Sequence, residues 1–169
     1  MSFRRAGVAL LLIVIAVGLQ TTLFARLRPF DAAPALVLLT VIAVSRHIPD
    51  ELAVFYGFLA GLLLDLLSES ALGLWALTLS AVAYATVRVK DRIAGDYRLV
   101  APVVFVVSAA ALALFALLGT IFGERTLADA ALVKKILLPS LYNTVLAVIV
   151  LPLAGVLIGR ARRTTGWRL

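Results

Sequence analysis

Cysteine is absent from this chain of 169 residues, and His47 is its only histidine. The absence of cysteine excludes disulfide bonds and metal sites built on thiolates. The sequence also has no Gly-x-Ser-x-Gly nucleophile motif, no P-loop and no pair of histidines at metal-ligand spacing. A reaction that needs both an acid and a base would find only one clear acidic group, Asp65, inside the apolar segments. We therefore predict a protein that is not an enzyme and that needs neither a metal nor a cofactor.

Charged residues are scarce as well. They make up 15% of the chain, whereas 63% of the residues are hydrophobic and the mean hydropathy is +1.10. A soluble domain of this length cannot bury so much apolar surface, so we expect lipid to be the solvent. The net charge is +7, but the basic residues lie at the ends of apolar segments. They are better explained as orientation signals and contacts with anionic lipids than as a nucleic-acid site.

Apolar segments dominate what remains. They predict an all-α polytopic membrane protein, with residues 1–169 as a single integral membrane domain and no internal repeat. We expect the first segment to be retained as a span, because no small-x-small cleavage motif follows it closely. The second is too short to cross about 30 Å of hydrocarbon, and prolines interrupt its start, so we expect it to be buried in protein or to line a cavity. The six predicted transmembrane helices lie at about 6–25, 33–45, 51–68, 71–88, 99–122 and 137–159.

The orientation follows from the distribution of Lys and Arg. Eleven of the 16 basic residues fall in the N-terminus, the second loop, the fourth loop and the C-terminal tail, and five fall in the remaining loops. Because basic residues accumulate on the cytoplasmic side, both termini are predicted to be cytoplasmic. The chain is therefore predicted to cross a membrane several times.

The third segment carries a regular stripe of small residues, Ala53, Gly57 and Gly61, that ends at Asp65. A spacing of four places these residues on one face of a helix, and Gly57 and Gly61 form the small-xxx-small pattern that lets helix backbones approach closely. An ionised carboxylate in such a segment is costly unless it has a partner. We predict a helix-packing or partner-binding face, which receives either a partner's transmembrane helix or a neighbouring span. The simpler interpretation is a packing face whose acid lies at the headgroup level.

Four other polar residues are predicted to share the depth of Asp65, in the outer third of the bilayer: Gln20, Ser68, Tyr142 and Asn143. Amide, hydroxyl and carboxylate groups at one depth can satisfy one another. One interpretation is therefore an outer-side polar cluster, which would act as an internal lock or as an outward-facing site. The other is that each side chain reaches the interface independently.

Two loop features complete the pattern. His47 is expected to be a solvated loop residue. Thr126–Asp129 has the form of a capping box and predicts a short interfacial helix that runs through the lysines at 134–135. Pro139 is then expected to restart the chain as the last span.

Several motifs occur in a recognisable order: Leu19-Gln-Thr-Thr22, Gly57-Phe-Leu-Ala-Gly61-Leu-Leu-Leu-Asp65-Leu-Leu-Ser68, Leu72-Gly73-Leu74 and Pro139-Ser-Leu-Tyr142-Asn143. Together they resemble the family of the bacterial rod shape-determining protein MreD, over essentially the whole chain. The glycine stripe that ends in Asp, followed by Ser and Leu-Gly, is the most specific part. One position differs: where the family often has Pro-Asp-Leu, this chain has Ala35 after Pro34, and Asp31 is the candidate substitute.

The resemblance implies a non-catalytic component of the bacterial cytoplasmic membrane, crossing it several times. It would belong to the machinery that elongates the lateral cell wall, with a role in cell shape. It implies a complex with MreC, a single-span periplasmic protein. It also implies links to the filament protein MreB and to the glycan polymerase and transpeptidase of peptidoglycan synthesis. The implied fold is the six-helix fold of the S-components, the substrate-binding subunits of energy-coupling-factor transporters.

That fold suggests an alternative function, a substrate-binding membrane subunit of a vitamin transporter with the outer-side polar cluster as its ligand site. The sequence argues mildly against it, because the predicted outer mouth has few aromatic and polar groups that could hold a vitamin. A proton-coupled pump is disfavoured for a related reason, since it would need several ionisable groups within the membrane. A structural protein that contacts only lipid is a third possibility.

Overall fold

The computed structural model describes residues 3–26, 33–68, 71–93, 97–124, 126–127 and 129–159. Asp31 and the basic tail at 160–169 lie outside these residues. The described part is helical and contains no strand, which confirms the predicted all-α class. Its six α-helices are α1 (Phe3–Arg26), α2 (Leu36–Ser45), α3 (Asp50–Leu67), α4 (Leu74–Ile93), α5 (Val100–Ile121) and α6 (Leu132–Ile158).

The shortest helix lies at the centre. All ten residues of α2 except Leu36 are buried, and α2 contacts each of the other five helices. A helix that is apolar on every side must be covered on every side, because no polar face is left for water. At 1.5 Å per residue, α2 is only about 15 Å long. The expectation that the short second segment would be buried in protein is confirmed.

The other helices surround α2 and keep large apolar side chains on their outer faces. Leu11 on α1, Phe55 on α3 and Val148 on α6 are 57%, 54% and 77% exposed. Of the described helices, three are long and apolar enough to cross a membrane, over Arg4–Leu23, Val100–Ile121 and Leu132–Ile158. Water would penalise such an outer surface, whereas lipid would not.

Both boundaries of α4 differ from those of the predicted fourth span. Helix α4 begins at Leu74 instead of residue 71, because Gly73 has a positive φ of 99° and forms a turn with the residues before it. It extends to Ile93, beyond the apolar segment, because the charged residues of its last turns are good helix formers.

The predicted separate interfacial helix before the last span is wrong. Helix α6 starts at Leu132 and continues through Pro139 without interruption. The hydroxyl of Thr126 donates to the Ala116 carbonyl of α5 and so does not cap a helix in its own loop. Pro139 costs the helix one backbone hydrogen bond, because proline has no N–H to donate. The hydroxyl of the next residue, Ser140, donates to the Ile136 carbonyl at 2.7 Å.

Candidate helix-packing site

The predicted stripe on α3 faces the next helix of the same chain. Ala53, Gly57 and Gly61 are buried, and α3 and α4 make the most extensive helix contact in the structure. A Cβ atom added to Gly57 would lie 2.6 Å from the Leu79 carbonyl oxygen of α4. A Cβ atom added to Gly61 would lie 2.3 Å from the Trp75 carbonyl oxygen. Both distances are shorter than any real contact, so the two backbones are as close as only glycine allows.

Asp65 lies at the end of this stripe and is only 2% exposed. The backbone N–H groups of Gly73 and Ala76 each donate to its Oδ2 at 3.0 Å, and the N–H of Trp75 donates to its Oδ1 at 3.0 Å. The N–H groups in the first turn of a helix have no partner inside the helix, and they attract negative charge. Asp65 therefore caps α4 from the neighbouring helix, which explains how an acid is tolerated here.

Gln20 caps a helix start in a similar way. Its side-chain Oε1 accepts the backbone N–H of Val37 at 2.8 Å. Val37 is the second residue of α2. The residue before this helix, Ala35, provides no side-chain cap. The amide of Gln20 thus joins α1 to the buried helix α2.

Asn143 is fully buried on α6, and its Nδ2 donates to the Ser108 hydroxyl of α5 at 3.2 Å. Its Oδ1 has no hydrogen-bond partner among the described residues. The polar atoms of buried side-chain amides are normally all hydrogen-bonded. The unpaired Oδ1 of Asn143 therefore costs free energy, which offsets part of the stabilisation from its bond to Ser108. The bond joins α5 to α6.

The remaining members of the predicted cluster, Ser68 and Tyr142, are half-buried. The backbone N–H of Ser68 donates to the Leu64 carbonyl at 2.9 Å and ends α3. Three of the predicted polar residues therefore act at three separate contacts between consecutive helices. Gln20 joins α1 to α2, Asp65 joins α3 to α4, and Asn143 joins α5 to α6.

The spacing of the stripe left two occupants open, a partner's helix or a neighbouring span. In the structure the occupant at Gly57 and Gly61 is α4, the next helix of the same chain. Both oxygens of Asp65 are also used within the chain. The observed arrangement holds two helices of this chain together.

Sequence reasoning did not predict the contacts that three further residues make. Ser108 was one of several hydroxyl residues in apolar segments, and no spacing singled it out. Glu124, in the α5–α6 loop, accepts the backbone N–H of Ala71 through its Oε1 at 3.2 Å and so ties that loop to the α3–α4 turn. Trp75 stacks on Phe115 of α5, with ring centroids 4.2 Å apart. Each of these three residues contacts a different segment of the chain, and a single sequence does not indicate which segments will meet.

At the opposite end of the molecule, the prediction for His47 needs correction. Its ring lies against α6, where a Cβ atom added to Gly155 would be 3.3 Å from both Cε1 and Nε2. His47 is half-buried there, because Gly155 leaves room for the ring. Among the described residues, no group of three His, Cys, Asp or Glu side chains could hold a metal ion.

The chain was compared with known protein families, curated proteins and solved structures. The sequence model of a family described as "rod shape-determining protein MreD" matches residues 2–158. No curated protein and no solved structure matches this chain.

Proposed function

We propose a function from one premise: this chain belongs to the MreD family, and this membership implies a role in determining rod shape. The proposed function is that of a non-catalytic membrane component of the machinery that elongates the lateral cell wall. It would act in a complex with MreC, and through that complex with MreB, the glycan polymerase and the transpeptidase. The family match over nearly the whole chain is the observation that carries this proposal.

The proposed topology is six membrane crossings with both termini in the cytoplasm. The lengths and apolar outer faces of α1, α5 and α6 support it, and so does the excess of basic residues on the predicted cytoplasmic side. The burial of α2 supports its place as a short central span. The proposed likeness to the S-component fold stays a prediction.

In this proposal the stripe of Ala53, Gly57, Gly61 and Asp65 supports partner binding indirectly. It fixes α3 against α4, and the polar contacts of Gln20 and Asn143 fix the other two pairs. The outer surfaces of the helices are then held in a constant arrangement that a membrane partner such as MreC can recognise.

The test is depletion of the protein in its own rod-shaped host, followed by complementation and by co-purification of MreC in mild detergent. We expect depleted cells to become round, and the wild-type chain to restore rods and retain MreC. Gly61→Leu should fail in both respects, because its side chain would overlap the α4 backbone. Gly18→Leu is the matched control, since a Cβ atom at Gly18 has no neighbour within 4 Å.

Immunoblotting of each variant would separate loss of the protein from loss of its partner. Depleted cells that stay rod-shaped, or a wild-type chain that never retains MreC, would contradict the proposal. If Gly61→Leu accumulated to the wild-type level and gave normal cell shape and normal MreC recovery, the stripe on α3 would have no part in the proposed function.

The vitamin-transporter alternative has less support. Its ligand site would be the outer-side polar cluster of Gln20, Ser68, Tyr142 and Asn143. The described side-chain hydrogen bonds of Gln20 and Asn143 go to other parts of this chain. Neighbouring genes provide an independent check. Genes for MreB and MreC beside this one favour the cell-shape function, whereas a pair of energising ATPase genes would favour transport.

A further inference from the structure

A cavity of about 960 Å³ opens between the start of α5 and the second half of α6, at the end of the molecule opposite Asp65. Its walls are largely apolar and include Val100, Ala147, Leu151 and Val156. Val148 and Val156 on its lining are 77% and 79% exposed. The cavity is therefore a lateral groove, open towards the surroundings of the helices.

The end of this groove that lies next to the end of α2 is basic. Arg46 and His47, which follow the end of α2, both line it. Of the described residues that line the groove, none is acidic. Arg4 and Arg5 line a smaller cavity beside it, together with the last residues of α6, Val156–Gly159. One end of the apolar groove thus carries Arg46 and His47, and two further arginines line the neighbouring cavity.

The charge of Arg46 has no compensating anion within the described part of the chain, where its guanidinium forms no ion pair. Desolvation by burial lowers the pKa of Arg46, although arginine stays protonated at neutral pH. An anion that entered the groove would offset this desolvation cost and form charge-assisted hydrogen bonds with the guanidinium.

We propose that this groove binds one anionic phospholipid of the bilayer, with the phosphate at Arg46 and His47 and an acyl chain along the apolar walls of α5 and α6. Basic pockets between membrane helices on the cytoplasmic side are suited to acidic headgroups. The basic end of the groove lies on that side in the proposed topology, so the inference rests on the proposed function. A partner's helix would fill the apolar walls but would leave the charge of Arg46 unmatched.

The first experiment measures headgroup preference. The full-length protein in neutral detergent is incubated with equal amounts of dioleoyl phosphatidylglycerol and dioleoyl phosphatidylcholine, and bound lipid is counted by native mass spectrometry. We expect one phosphatidylglycerol in preference to phosphatidylcholine. Arg46→Gln should lower the preference about fivefold, as expected for one basic residue near a charged headgroup. Arg92→Gln, an exposed arginine at the end of α4, is the matched control and should keep it.

The second experiment measures occupation of the apolar walls. Ala101 lines the groove and is exposed, so Ala101→Phe should fill the groove without disturbing the core and should reduce binding of both lipids. Ala113→Phe is the same change at an exposed position of α5 that does not line the groove, and it should leave binding unchanged. Excess inorganic phosphate should not displace the lipid, because it cannot use the apolar walls.

Equal binding of the two lipids by the wild-type protein, or an unchanged preference in Arg46→Gln, would overturn the inference. Unchanged lipid binding in Ala101→Phe would overturn it too, and loss of MreC from that variant with lipid retained would assign the groove to a partner's helix. MreC recovery from the wild-type protein is scored in the same preparations. A protein that retains MreC without discriminating between lipids would refute the inference and leave the proposed function standing.

Discussion

The Asp65 carboxylate at the end of α3 accepts the backbone N–H of Trp75, in the first turn of α4, at 3.0 Å. Its other oxygen accepts the N–H groups of Gly73 and Ala76. An acid that is 2% exposed in an apolar protein is thus stabilised by backbone donors that would otherwise lack partners. The close glycine contact and this cap act on the same two helices.

Asp65→Asn tests the cap. The variant keeps the shape of the side chain but replaces one acceptor oxygen by an NH2 group, which would face a backbone N–H. Because a buried backbone donor is then left unsatisfied, we expect the free energy of unfolding in detergent to fall by about 1–3 kcal/mol.

Asp50→Asn is the matched control for Asp65→Asn, since Asp50 lies at the other end of α3. Its side chain is 59% exposed and pairs with Lys90. Exposed pairs contribute about 0–1 kcal/mol, so the control should unfold close to the wild-type midpoint. Equal destabilisation by the two substitutions would show that the α4 cap is energetically unimportant.

Gly61→Ala tests the close approach of α3 and α4. The added methyl group would lie 2.3 Å from the Trp75 carbonyl oxygen, which is backbone and cannot rotate away. The helices must separate, and overpacking of this kind costs about 1–3 kcal/mol or more. Thermal unfolding in detergent measures the loss.

Gly18→Ala provides the comparison for Gly61→Ala, because a Cβ atom at Gly18 meets nothing within 4 Å. Replacing glycine by alanine in an unhindered helix should stabilise the protein by up to about 1 kcal/mol. If both variants unfolded at the same temperature, the α3–α4 distance in the structure would be wrong.

The contact between Asn143 and Ser108 is suited to a double-mutant cycle. The variants are Asn143→Ala, Ser108→Ala and the double substitution, with unfolding measured in detergent. Hydrogen bonds between membrane helices couple by about 0.6 kcal/mol on average and up to about 1.7 kcal/mol. We expect a value in that range, because both side chains are fully buried.

A second cycle with Ser80→Ala in place of Ser108→Ala controls for general effects of hydroxyl removal. The Ser80 hydroxyl donates to the Ala76 carbonyl of its own helix at 2.7 Å. Its coupling to Asn143 should be close to zero. Similar coupling in both cycles would mean that Asn143 and Ser108 share no specific bond.

The sequence was sufficient to predict the helical class, the short buried second segment and the shared face of Gly57, Gly61 and Asp65. These features depend on composition, on length and on the helical period, which are local properties. The sequence could not identify the partner of Asp65, because that partner is a set of backbone N–H groups. The position of these N–H groups depends on the turn at Gly73. The positive φ of that glycine cannot be recognised when the sequence is searched only for apolar spans.

The same limit explains two other differences. The stripe could have received any helix, and only the folded chain selects α4 over a partner. His47 was expected in solvent because its neighbours in sequence form a loop, but Gly155, more than a hundred residues away, leaves room for its ring. In both cases the deciding contact is with a different helix, which the local sequence does not identify.

The loop before α6 makes a prediction for pH. Asp129 pairs with Lys135, and the backbone N–H of Ala131 donates to its Oδ1 at 2.8 Å. The Lys135 hydrogen bond, followed by that of Ala131, holds the pKa of Asp129 below its ordinary value of 3.8. Because the folded pKa is the lower one, the contribution of this contact is present above pH 3.8 and is lost as the pH falls through the folded pKa.

Lys135→Ala should therefore raise the pKa of Asp129 towards 3.8, as measured by NMR titration of 13C-labelled aspartate carboxyl groups in detergent micelles. Lys134→Ala removes an equal charge one residue away. It should leave the Asp129 titration nearly unchanged, because the lowering comes mainly from hydrogen bonds, and the through-space charge of Lys135 is the smallest of its causes. If the two variants shifted the titration equally, Asp129 would be sensing the general positive charge at the start of α6, and the specific pair would have to be abandoned.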